Sequence, residues 1–182
     1  MNTLPIEKLR ALYWAEVHVT EARDAARFLL DSKVTSPTVQ QAILAGVVVC
    51  YARSFGKNQG MSMVPGKFRE FENARLKRIH DILLDVRDTV YAHKDMAREA
   101  DHLPSSARLI DYRRIGIRIS EDGASTWFVN RPILPIERLG DIVELCEFQL
   151  ERMNAESSKV LTHFTSGKTY DAGEYTLGQN FP

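Results

Sequence analysis

Little in this chain is suited to cross-linked or metal-assembled scaffolding. Only two cysteines occur, Cys50 and Cys146. Each lies in an apolar periodic segment and they are far apart in the chain, which suits buried thiols in a reducing compartment better than a disulfide framework. CxxC pairs, HExxH, a phosphate-cradling glycine loop and a nucleophile elbow are all missing. Zinc proteolysis, Walker-type hydrolysis and α/β-hydrolase chemistry are therefore set aside, and no metal or cofactor is expected. Long apolar runs are also missing: the longest, AILAGVVVC at 42–50, is too short to span a bilayer. The start, MNTLPIEKLR, has neither the basic opening nor the apolar stretch of a secretory signal. A soluble, cytoplasmic protein with no membrane partner is the expectation.

An excess of either charge is the last absence. Lysine plus arginine equals aspartate plus glutamate at 24 each, so the whole molecule exerts no long-range pull on a phosphate backbone. The distribution is less even. Residues 53–98 hold ten basic side chains against six acidic, and residues 141–182 hold seven acidic against three basic. Ordinary solvated helix faces account for this, and so does a local basic surface in the middle of the chain.

What is present is helical periodicity. The 182 residues suffice for one domain with one hydrophobic core, expected over residues 1–165, with a strap or disordered tail over 166–182. From Pro5, with a proline suited to a first turn, Leu12, Ala15, Val19, Ala22, Ala26 and Leu30 form one apolar stripe. Ser36 and Pro37 supply an N-cap and first helical residue for a second helix reaching about Phe55. Its Ile43, Leu44, Val47, Val48, Val49 and Cys50 leave so little polar surface that it should be central.

Three glycines and a proline in 56–67, GKNQGMSMVPGK, predict a flexible connection and a candidate functional loop. Leu76, Ile79, Leu83, Val86 and Val90 predict a third helix over about Phe68 to Tyr91, with His80 and Arg87 on one face. Two β-rich runs flanking EDG predict a β-hairpin at about 108–133, turning near Glu121 to Gly123. Leu139, Ile142, Cys146, Leu150, Met153, Val160 and Phe164 predict a fourth helix over about Pro135 to Phe164. The expected fold class is mainly α: an up-and-down four-helix bundle with the hairpin inserted between the third and fourth helices.

One stretch combines a permanent cation with a group that titrates near neutrality. In RDTVYAHKD, Arg87 precedes His93 by six positions, close to where the third helix must stop. Arg75 and His80 are similarly spaced, but inside the helix their i, i+5 relation puts them on opposite faces. Beyond a helix end, His93 can swing back toward Arg87. The bland account is that cations at a helix C-terminus interact with its dipole for a few tenths to about 1 kcal/mol.

A bundle helix ending in Arg87, then polar Asp88, Thr89 to Tyr91, small Ala92 and His93 resembles the signature of the HEPN superfamily (higher eukaryote and prokaryote nucleotide-binding). With CYARSFGKNQG in the second helix, His80 in the third and VRDTVYAHKD at its end, the chain is similar to the abortive-infection branch. The resemblance covers about residues 5–165, with a specific motif of about seven residues. It implies a bundle that often dimerises, with Arg and His from two protomers lining one cleft. In active members it implies a metal-independent endoribonuclease. Such chemistry requires a base for the 2′-hydroxyl, a proton donor for the leaving oxygen and a cation at the phosphorane. His93 is suited to proton transfer and Arg87 to bidentate phosphate binding.

The resemblance thus makes Arg87, His93 and Asp88 the candidate catalytic residues. Asp88 could orient His93, at some cost in phosphate affinity. Arg53, Asn58, His80, Tyr91 and Lys94 are candidate substrate-binding residues. Their bland readings are an ion pair for Arg53, a turn for Asn58 and a satisfied polar group at a helix interface for His80. Expected partners are a second copy of the chain, RNA or a nucleotide, and an antitoxin or regulatory protein. Where related toxins carry a modifiable tyrosine two residues after the histidine, this chain has Asp95, so regulation by that route is not expected. The alternatives are a catalytically silent HEPN-like module that binds a nucleotide, RNA or protein, and a purely structural helical homodimer. Trp127 with Arg113, Arg114 and Arg118 could offer nucleic acid a stacking surface, or Trp127 could pack the hairpin onto the bundle.

Overall fold

A computed structural model describes residues 3–56, 63–88, 115–129 and 138–166. They are mainly helical, with four helices, an arrangement that a four-helix bundle fits: α1 (Thr3–Asp31), α2 (Pro37–Arg53), α3 (Ala74–Val86) and α4 (Leu139–Thr165). A short 3-10 turn, Gly66–Arg69, precedes α3. Strands β1 (Ile115–Ile119) and β2 (Ser125–Val129) pair antiparallel, with Ile117 opposite Trp127. Between them Gly123 takes φ 80, a left-handed conformation that favours glycine, and its N–H donates to the Ser120 carbonyl at 2.9 Å. Among the described residues no helix is long and apolar enough to cross a membrane. The expected tail beyond Ser166 lies outside the described residues.

Helix α1 is the axis of the core. Leu12, Ala15, Val19, Ala22, Ala26 and Leu29 are buried in alternating steps of three and four. Leu30, expected in this stripe, is 45% exposed and Leu29 replaces it. A second consecutive step of four from Ala22 carries a residue roughly 80° round the helix, whereas Leu29 returns to within roughly 20° of it. The run of alanines lets neighbouring helices approach closely.

Ser36 caps α2, its hydroxyl accepting from the Val39 N–H at 3.5 Å, and Pro37 follows at the first helical position. Leu44, Val47, Val48, Tyr51 and Ala52 are buried, whereas Ile43, Val49 and Cys50 remain half-buried. Cys50 is therefore less enclosed than its apolar context predicts. Cys146 is fully buried, and burial pushes its thiol up to about 12.

The third helix begins later than its periodicity suggests. Asn73 caps it, its side-chain oxygen accepting from the Arg75 and Leu76 N–H groups, so α3 starts at Ala74 instead of Phe68. Phe68 belongs to the 3-10 turn and is fully buried. The approach to α3 is a packed strap from residue 63 onward, whereas residues 57–62 of the flexible connection expected at 56–67 lie outside the described residues. Val64 is buried, and the Phe68 carbonyl accepts from Gln149 Nε2 at 2.8 Å. Phe71 stacks on Phe148 at 5.7 Å, and Arg152 lies over the Phe68, Phe71 and Phe148 rings at 5.1–5.7 Å. Arg75 then pairs with Asp141 and Glu144.

This strap changes the expected topology. α1 runs opposite to α4, with Lys8 on Glu156 and Arg27 on Glu147, and opposite to α2, where Ser54 donates to the Ala15 carbonyl. Contacts between α2 and α3 advance together, however: Tyr51 meets His80 and Gly56 faces Arg87. Hence α3 runs in the sense of α2, which corrects strict up-and-down alternation. Residues 63–75 contact α4 at 156, then 152 and 149, then 144 and 141. They carry the chain back along α4 before α3 starts, which a tight turn could not do.

Candidate functional site

Where α2 ends beside the last turn of α3, two unlike layers meet. The lower layer is buried and neutral. His80, 1% exposed, shares a hydrogen bond of 2.8 Å with the Tyr51 hydroxyl through Nδ1. Its ring stands edge-on to Phe55 at 4.8 Å and lies 4.9 Å from Phe71. Burial pushes the His80 imidazole down to about 4 and the Tyr51 phenol well above its ordinary value. Both are thus neutral near pH 7, and the bond joins an uncharged phenol to an uncharged imidazole.

Above Phe55 the surface opens into a pocket of about 320 Å³. Its lining combines Ala52, Phe55, Gly56, Met63 and Leu84 with Arg69, Arg87 and Asp88. Arg87 lies just past Val86 in a helical conformation, φ −60 and ψ −47, and its N–H donates to the Leu83 and Leu84 carbonyls. Its side chain, 33% exposed, pairs through Nη1 with Asp88 Oδ1 at 2.5 Å. A Cβ added at Gly56 would meet the Arg87 Nη atoms at 3.8 and 3.9 Å, so glycine leaves the guanidinium open on that side. Arg69 reaches in from the 3-10 turn, its Nη2 donating to the Phe55 carbonyl.

The sequence candidates separate accordingly. Arg87 and Asp88 share the pocket, and Asp88 pairs with Arg87. His80 lies beneath it, behind Phe55, with Nδ1 bonded to the Tyr51 hydroxyl. Arg53 is exposed and points away toward α1, where its charge helps to lower the His18 imidazole, after burial. Asn58, Tyr91, His93 and Lys94 lie outside the described residues, so the Arg87 and His93 pair does too. Among the described residues, no group of three or more His, Cys, Asp or Glu side chains could hold a metal ion.

Sequence reasoning missed Arg69, Met63 and the bearing of Gly56 on Arg87. The available signals were the local excess of basic residues that includes Arg69 and the candidate functional loop at 56–67, which holds Gly56 and Met63. Chemically, two guanidiniums and one carboxylate beside an apolar wall form a site for a small anion with an apolar portion. No protein-family model, curated protein or solved structure matches the chain.

Proposed function

We propose that the chain is a HEPN-like, metal-independent endoribonuclease of a phage-defence or toxin–antitoxin system, cytoplasmic and acting as a homodimer. Arg87 binds the scissile phosphate and His93 transfers the proton, with Asp88 tempering both. The observation that carries this reading is the placement of Arg87: its guanidinium lines an open pocket past the end of α3, six positions before His93 in the chain. Five donors on a permanent cation stabilise a charge that grows as the phosphorane forms, and a histidine suits the proton steps. Two-fold assembly would bring two such pairs to one cleft. The β-hairpin between the third and fourth helices is then a surface feature of the bundle. It is available, with an antitoxin or regulatory protein, for control.

The Arg87–Asp88 ion pair favours a second reading, a catalytically silent HEPN-like module that binds a nucleotide, RNA or protein. Incubation of purified protein with mixed cellular RNA in EDTA separates the two. The ribonuclease should release 2′,3′-cyclic ends, and Arg87→Ala or His93→Ala, matched for folding and mass, should lower cleavage by about 10²-fold or more. Inertness of folded wild-type protein across many RNAs would leave the silent module.

A further inference from the structure

We infer that Arg69 is the second phosphate-binding cation of the Arg87 pocket, and that the two arginines together hold one internucleotide phosphodiester with an adjoining nucleotide against the Met63 and Leu84 wall. The inference rests on the reading of Arg87 as a phosphate ligand and adds a residue from a separate part of the chain.

Four observations lead to it. Both guanidiniums line the same pocket, one from the 3-10 turn and one from the end of α3. Arg69 is held in place by its bond to the Phe55 carbonyl, which uses one of five N–H donors and leaves the others for a ligand. Charge sets the class of anion. Arg69, Arg87 and Asp88 sum to one net positive charge, which a phosphodiester monoanion neutralises and a phosphate dianion overfills. Size and polarity set the rest. The volume of about 320 Å³ is at the small end of ligand pockets, roughly 300–1,000 Å³. Met63, 47% exposed, and half-buried Leu84 present apolar surface to a sugar or base.

Asp88 has a defined part in this arrangement. It occupies Nη1 of Arg87 when no ligand is bound, so an incoming phosphodiester competes with it for that edge. Arg69 supplies the attraction that shifts the competition toward the ligand. Gly56 keeps the approach to Arg87 open, and its backbone is not in the left-handed region that would forbid a side chain.

The test is titration of the full chain with a 2′-deoxy dinucleoside monophosphate, which carries one phosphodiester and no 2′-hydroxyl to attack. Inorganic phosphate serves as the comparison, and melting temperature is recorded for every variant. Wild type should bind the dinucleotide about tenfold more tightly than phosphate. Arg69→Ala and Gly56→Glu should each weaken it about tenfold, and Arg69→Lys, which keeps the charge and loses the fork, several-fold. Asp88→Asn should tighten it several-fold. Arg78→Ala, an exposed cation outside the pocket, should leave it unchanged. Wild-type affinity in folded Arg69→Lys and Gly56→Glu, an equal loss in Arg78→Ala, or no binding to wild type would each overturn the inference. Dinucleotide binding that depends on Arg69 in a protein that cleaves no RNA would retain Arg69 and reject the ribonuclease. Cleavage dependent on Arg87 and His93 but indifferent to Arg69 would do the reverse.

Discussion

The two sides of the α1–α2–α4 core are built by different means. Toward α1, small and aliphatic side chains predominate: Ala15, Ala22 and Ala26 share one buried cluster with Leu44, Val47 and Leu145. Ion pairs stand at its margins, where Lys8 and Lys67 share Glu156 and Arg27 meets Glu147, and one buried hydroxyl, that of Ser54, donates to the Ala15 carbonyl. Toward α3, the interior is aromatic and polar, with Tyr51, His80 and Gln149 buried among Phe55, Phe68 and Phe71. An apolar seam tolerates small shifts because dispersion has no direction. A buried hydrogen-bonded cluster has one satisfactory arrangement, since an unpaired partner there costs about 1–3 kcal/mol. The pocket stands on the second kind of support, which holds Phe55, and hence the anchor of Arg69, in place.

The largest effect expected at this contrast is Phe55→Ala. Removal of the ring shared by Tyr51 and His80 should cost about 3–5 kcal/mol in chemical denaturation, with the pocket floor lost as well. Intermediate in size is an acid sensitivity strongest on the α3 side, with His18 on α1 lowered in the same sense. His80 titrates near 4 in the fold against an ordinary 6.5. Between those values the unfolded chain takes up a proton that the folded chain refuses. Stability should therefore be full above about pH 6.5 and decline as the pH falls toward 4, a slope that His80→Leu should make shallower, with His18, lowered in the same sense, carrying the remainder. Glu156, held down to about 2 by Lys67 and Lys8 from an ordinary 4.5, adds a separate loss between those values as it becomes protonated. An unchanged slope in His80→Leu would mean that another group governs the upper window. The smallest effect should be at the margin of the α1 seam. Arg27→Ala removes a pair whose partners are each about half exposed, and should shift stability by less than about 1 kcal/mol.

Legibility in the sequence divides along the same line. The α1 stripe was readable because an amphipathic helix reports its buried face through period alone, and only Leu30, displaced by Leu29, was misplaced. Ser36 and Pro37 marked the start of α2 by local chemistry. At the start of α3, Phe68 continued the apolar pattern, and Asn73 was overlooked as the cap that resets it. The shared face of His80 and Arg87 was readable, but their different depths were not, since those depend on which side chains α2 sets opposite them.

Four helical segments, their spacing and the position of Arg87 near a helix end were determined by the sequence by itself, because periodicity, caps and charge are local properties of the chain. Only the tertiary structure decided that α3 runs in the sense of α2, that His80 is a buried neutral partner of Tyr51, and that Arg69 faces the pocket of Arg87. Those outcomes depend on a strap whose aromatic side chains are stable only against α4. Such long-range packing of Phe68 and Phe71 on Arg152, Gln149 and Phe148 leaves no periodic mark on the sequence.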